Sequence, residues 1–110
     1  MNKKQILIFL MAILLLSFIS CNTGVGDECT KDNDCDSGLV CDENFPDGYC
    51  LKPNCNPNDE NSCTTEAQCT YFNDSEMYYC LLKCNENDDC REGYSCKSVP
   101  NNEYRVCLPD

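Results

Sequence analysis

The stretch Cys29-Thr30-Lys31-Asp32-Asn33-Asp34-Cys35-Asp36-Ser37-Gly38-Leu39-Val40-Cys41, closed by Gly48-Tyr49-Cys50-Leu51, decides the fold. Its four cysteines are separated by 5, 5 and 8 residues. The pattern returns as Cys55, Cys63, Cys69 and Cys80 with gaps of 7, 5 and 10, then as Cys84, Cys90, Cys96 and Cys107 with gaps of 5, 5 and 10. Only 4 and 3 residues separate the copies, and the middle gap never changes, which is the mark of an internal repeat. Each copy closes alike, with Tyr49-Cys50-Leu51, Tyr79-Cys80-Leu81 and Val106-Cys107-Leu108. A register that starts the second copy at Cys63 matches Cys63-Thr64-Thr65-Glu66-Ala67-Gln68-Cys69 to residues 29–35, but it strands Cys55 and lacks a third cysteine.

Within a copy, a polar loop rich in Asp and Asn joins the first two cysteines. The last two lie in short β-prone runs around a turn cluster, which predicts a hairpin. Residues 38–42 and 49–51 flank Phe45-Pro46-Asp47-Gly48, residues 68–72 and 76–82 flank Asn73-Asp74-Ser75, and residues 94–99 and 104–108 flank Pro100-Asn101-Asn102-Glu103. A two-residue turn at Asp74-Ser75 or at Asn101-Asn102 sets Cys69 opposite Cys80 and Cys96 opposite Cys107, and Asn tolerates the positive φ of such turns. The expected fold is a small disulfide-rich one: three tandem four-cysteine units at residues 29–51, 55–82 and 84–110, each a polar loop plus a short β-hairpin, with almost no helix. Four cysteines allow three pairings per unit. First with third and second with fourth ties the polar loop across the hairpin; a cross-strand bond between third and fourth is the rival.

Composition agrees. The 110 residues hold 13 Cys and no His or Trp, and 19 carboxylates face 8 Lys or Arg. Of the apolar residues 14 lie in positions 1–20, and beyond Cys21 only 19 non-cysteine apolar side chains remain. Chains this small need staples, and six bridges at about 2–4 kcal/mol each supply them. All 19 acids follow Cys21, against six of the bases, a surface that repels nucleic acid and anionic lipid headgroups and favours a basic partner.

The N-terminus begins Met1-Asn2-Lys3-Lys4-Gln5, runs apolar from Ile6 to Ile19 apart from Ser17, and ends Ser20-Cys21-Asn22. A charged start, an apolar centre and a small-residue end predict a signal peptide over residues 1–20. Fourteen helical residues span about 21 Å, short of the ~30 Å hydrocarbon core of a bilayer. Phe18-Ile19-Ser20-Cys21 resembles the lipobox of bacterial lipoproteins, although Phe18 stands where Leu is usual. The resemblance implies lipidation of Cys21 and anchorage in a membrane, and Asn22 after it implies sorting to the outer membrane. The alternative is ordinary cleavage after Cys21 and free secretion. Either route leaves 12 cysteines. Residues 21–28, with Gly24 and Gly26, are expected to form the lipidated Cys and a flexible tether.

Glu28-Cys29 through Cys41, with Gly48-Tyr49-Cys50, also resembles the start of the Dickkopf N-terminal cysteine-rich region: an Asp-x-Asp before the second Cys, a Gly before the third and a Gly-x-Cys close. The detailed match covers about 22 residues; copy three keeps Asp88-Asp89-Cys90, Gly93 and Cys96, and copy two keeps the cysteine frame. Similar repeats in bacterial surface lipoproteins suit the N-terminus, and no basic stretch or second cysteine-rich domain of the animal antagonists follows.

Zinc is disfavoured, because no Cys-x-x-Cys occurs and an exported chain meets an oxidising compartment. Asp32, Asp34, Asp36 and Glu43 occupy positions 1, 3, 5 and 12 of an EF-hand-like loop and form a weak calcium candidate; position 6 is Ser37 rather than Gly. Without His, a Ser or Cys nucleophile lacks its commonest base, and no cofactor or catalytic residue is expected. Tyr71, Phe72, Tyr78 and Tyr79 crowd the second hairpin and either pack between copies or form an interaction patch. Asn73-Asp74-Ser75 matches a glycosylation sequon. The reading is a non-enzymatic, exported, lipid-anchored surface protein that binds a protein or glycan partner. A freely secreted inhibitor or toxin-like effector is the alternative.

Overall fold

The residues flanking each closing cysteine are β-branched, aromatic or Leu, and each run pairs with the strand before it to make a hairpin. The computed structural model describes residues 3–5 and 23–110. The first hairpin is β1 (Val40–Asp42) and β2 (Tyr49–Pro53), the second β3 (Ala67–Phe72) and β4 (Met77–Cys84), the third β5 (Tyr94–Lys97) and β6 (Arg105–Pro109). Two single 3-10 turns, Asp32–Asp34 and Asn87–Asp89, lie in the polar loops of copies one and three. The expected signal peptide, Cys21 and Asn22 fall outside the described residues, apart from Lys3, Lys4 and Gln5.

The expected register holds in the second and third hairpins, where Cys69 faces Cys80 and Cys96 faces Cys107, and in the first Cys41 faces Cys50 likewise. Directly opposed residues point to the same side of a sheet, so each hairpin presents two sulfurs on one face. The polar loop crosses that face and each of its cysteines takes one partner. Cys29 bonds Cys41 and Cys35 bonds Cys50; Cys55 bonds Cys69 and Cys63 bonds Cys80; Cys84 bonds Cys96 and Cys90 bonds Cys107. First-to-third and second-to-fourth pairing therefore repeats in all three units, and the cross-strand rival is absent. Six disulfides indicate an oxidising, extracytoplasmic environment. Among the described residues no helix is long and apolar enough to cross a membrane.

The turns differ in detail from the sequence expectation. The β3–β4 connection runs through residues 73–76, with the positive φ of 55° at Glu76 rather than within Asp74-Ser75. Lengthening a loop symmetrically leaves the pairing sum unchanged, so the register survives. In the first hairpin Asp47 and Gly48 both have positive φ (61° and 73°), and a Cβ on Gly48 would lie 2.0 Å from the carbonyl oxygen of Cys29. Only glycine lets the polar loop lie this close to the turn.

The units are joined by strands rather than by linkers. β2 runs past its closing cysteine and pairs with β4 (Lys52 with Cys80, Pro53 with Tyr79). β4 does the same onto β6 (Lys83 with Val106, Cys84 with Arg105). One step repeated twice makes a sheet of order β1-β2-β4-β6-β5, with β3 on β4. Tyr49, Leu51, Leu81 and Val106 neighbour the closing cysteines in sequence, so they point away from the sulfurs. All four are fully buried, and they build a core shared by the three copies. Burying each such side chain stabilises by about 1.5–3 kcal/mol, which is how 19 apolar residues suffice.

The tether expectation is corrected over its described part, residues 23–28. Val25 is buried in the core, and Gly26 donates its N–H to Cys50 O (2.9 Å) while Cys50 N–H donates to Asp27 O (3.0 Å). Thr23 O accepts from Asp36 N–H (2.9 Å). Two glycines look like slack, but Gly26 adopts φ 92° and a Cβ there would lie 3.0 Å from the Leu82 side chain, so here glycine serves close contact.

Candidate functional site

Tyr49 joins the copies. Its hydroxyl donates to Cys107 O (3.2 Å) and accepts from Leu82 N–H (3.0 Å), so one side chain of copy one satisfies backbone groups of copies two and three. Burial pushes its pKa up to about 12, the Leu82 N–H opposing. Arg91 of copy three closes the other side, donating to the carbonyls of Gly26, Pro46 and Gly48 and to the Tyr94 hydroxyl. Its guanidinium lies 4.3 Å from the Tyr94 ring centroid, a cation–π stack. The Tyr94 hydroxyl in turn donates to Pro46 O (2.7 Å), and burial raises its pKa against the pull of Arg91.

The four carboxylates of the calcium candidate are not brought together. Among the described residues the only groups of three potential ligand atoms within 4.8 Å of one another are sulfurs, and all of these belong to disulfides. Asp32 Oδ1 accepts from Cys41 N–H (2.8 Å), and Asp34 Oδ2 accepts from the N–H and hydroxyl of Thr30 and from Lys31 N–H. Asp36 and Glu43 are exposed. The third copy repeats the first: Asn87 Oδ1 accepts from Cys96 N–H (3.0 Å), and Asp89 Oδ2 from Asn85 and Glu86 N–H. In copy two Ser62 Oγ accepts from Asn56 N–H (2.7 Å). The residue before each second cysteine thus caps the residue after the first, and the acidic Asp-x-Asp pattern is loop architecture. These N–H groups hold the Asp34 and Asp89 carboxyls below the usual carboxylate range.

The predicted aromatic patch divides between two faces, because adjacent residues of a strand point oppositely. Tyr71 and Tyr78 face each other on the sulfur side with ring centroids 5.1 Å apart, and Tyr71 is exposed. Phe72 and Tyr79 lie on the core side. Their rings, 5.4 Å apart, continue through Phe45 (5.8 Å from Phe72) and Tyr49 (5.0 Å from Phe45) to Tyr94 (5.7 Å from Tyr49). Packing between copies therefore accounts for this half of the patch.

The outer end of that aromatic row is open. Phe45 from copy one, Phe72 and Tyr79 from copy two and Leu108 from copy three form the floor of a cleft, with Asp42, Asp74 and Lys97 at its rim. No single copy contains it. Sequence reasoning missed Phe45, Leu108 and the rim, since the three hairpins meet there only through the repeated strand step. Arg91 was also missed; the equivalent positions in copies one and two are Asp36 and Thr64, so being the one basic residue of the three was its signal.

Of the six cations in residues 23–110, five donate to backbone carbonyls: Lys52 to Ser62, Lys83 to Thr65, Arg91 as above, Lys97 to Pro109 (2.6 Å) and Arg105 to Asn85. These cations keep their charge, and the surface takes its sign from 19 carboxylates against six of them.

No family model, curated protein or solved structure matches the chain.

Proposed function

We propose that the chain is a non-enzymatic binding module, exported by the segment 1–20, lipidated at Cys21 and displayed on the outer membrane or cell surface. The cleft assembled from all three copies carries this reading, because it gives a disulfide-stapled repeat array a recognition surface that one unit lacks. The charged start, apolar run and Ser20-Cys21 junction support export and lipid attachment. Two or more acyl chains would make the anchorage stable. The likeness of residues 28–50 to the Dickkopf N-terminal region enters as a likeness of repeat architecture in bacterial surface lipoproteins, with no signalling antagonism attached.

Growing the expressing cells with a radioactive fatty acid tests the anchor. The wild-type chain is expected in the membrane fraction carrying label, and Cys21→Ser unlabelled. Unlabelled wild-type protein in the culture medium overturns the anchor and leaves the freely secreted inhibitor or effector.

A further inference from the structure

The cleft has the chemistry of a receptor for arginine. Its lining is aromatic, and the rings are not coplanar: Phe45 and Phe72 stand at 87° and Phe72 and Tyr79 at 66°, so a planar group stacked on one ring meets a second ring beside it. Two carboxylates line the cleft with the rings. Asp42 spends one oxygen on Asn44 N–H (3.0 Å), leaving the other, and Asp74 sits exposed at the tip of the second hairpin. The cleft's one cation, Lys97, donates to the carbonyl of Pro109, another lining residue, so the two carboxylates leave the cleft a net negative charge.

The chain already uses this chemistry internally, where Arg91 stacks on Tyr94 and Lys83 lies 4.1 Å from the Tyr104 ring centroid. A planar guanidinium can stack on a ring and pair with a carboxylate at once, which an ammonium point charge does less well. The surrounding surface, with 19 carboxylates against six cations in residues 23–110, adds a field that draws a cation in.

We infer that this three-copy cleft binds an arginine-bearing segment of a basic protein, the guanidinium lying among Phe45, Phe72 and Tyr79 and pairing with Asp42 and Asp74. The inference deepens the binding-module reading above and rests on it.

The test uses oxidised protein and a fluorescein-labelled peptide of two Arg flanking Leu, read by fluorescence polarisation. Binding is expected to weaken with salt, and to fall several-fold or more when citrulline replaces both Arg. Asp42→Asn with Asp74→Asn is expected to weaken it by up to about five-fold per carboxylate, the range of exposed ion pairs. The pair Glu60→Gln and Glu66→Gln changes net charge equally but lies away from the cleft, and is expected to weaken binding clearly less, through the general field alone. Both pairs are exposed or rim substitutions that keep the disulfides, so folding is not at issue. Equal loss from the two pairs, or undiminished binding of the citrulline peptide, overturns the site. A neutral oligosaccharide bound more tightly than the peptide, and competing with it, overturns the arginine assignment in favour of a glycan. Fatty-acid labelling of Cys21 is read separately, so failure of the cleft and failure of the anchor are told apart.

Discussion

Replacing Tyr49 by Phe removes one oxygen and should loosen the contact between all three repeats. The ring stays, so packing against Phe45 and Tyr94 is kept. What is lost is the acceptor for Leu82 N–H at 3.0 Å and the donor to Cys107 O at 3.2 Å, both inside a side chain's shell that excludes water. A buried group left without a partner costs about 1–3 kcal/mol, the carbonyl less than the N–H because it has a second lone pair, so the sum is about 2–4 kcal/mol. Guanidinium unfolding with disulfides intact should show this as a lower midpoint. Amide exchange at Leu82 should accelerate by about 30-fold or more, the equivalent of 2 kcal/mol. Tyr79→Phe is the control, since its hydroxyl meets only Ser75 Oγ at 3.3 Å and the Met77 sulfur at 3.7 Å near the surface; its effect should stay within about 0.5 kcal/mol. A Tyr49→Phe protein indistinguishable from that control, with Leu82 exchange unchanged, would refute the idea that this hydroxyl ties the copies together.

Three further outcomes are expected. Because the folded Tyr49 pKa of about 12 lies above the ordinary 10, the neutral phenol's contribution is complete below pH 10 and is lost as pH rises through 12. The linked loss is about 2–3 kcal/mol. A tyrosinate absorbance step near pH 12 that disappears in Tyr49→Phe checks it. Asp34 and Asp89 have depressed values, so their contribution is present above the ordinary carboxylate range and is lost as pH falls through the folded values. Asp89→Ala should speed amide exchange at Asn85 and Glu86 several-fold at neutral pH, whereas Asp89→Asn, which keeps an acceptor, should do so less. Gly48→Ala sets a methyl against the Cys29 carbonyl and should prevent the first polar loop from closing, seen as mispaired or free thiols by mass in that unit alone.

Cysteine spacing made most of the fold legible. A constant middle gap revealed the repeat, and the turns placed the third and fourth cysteines of the later copies face to face. The pairing stayed open between first-to-third and cross-strand bonds until the fold showed the polar loop lying across the sulfur face. Contacts between units were not legible in this way, because they depend on how far β2 and β4 run past their closing cysteines. Lys52-Pro53 and Lys83 look like linker in sequence and form strand pairs in the fold. The docking of Val25 and Gly26 was hidden because glycine-rich composition serves slack chain and close packing alike. The aromatic patch was half readable: Tyr71 and Phe72, as strand neighbours, had to face opposite ways, but which face would be shared with Phe45 awaited the third dimension. At the calcium candidate, two of the four carboxylates, Asp32 and Asp34, cap loop N–H groups, a use that their ligand-like spacing did not disclose.

Every part of the account stands on the loops being tied across the hairpins, so the most direct measurement is a disulfide map of the oxidised protein by non-reducing digestion and mass spectrometry. Bridges joining Cys29 with Cys41, Cys35 with Cys50, Cys55 with Cys69, Cys63 with Cys80, Cys84 with Cys96 and Cys90 with Cys107 are predicted, with no free thiol among these twelve. Bridges joining Cys41 with Cys50, Cys69 with Cys80 or Cys96 with Cys107 would contradict it.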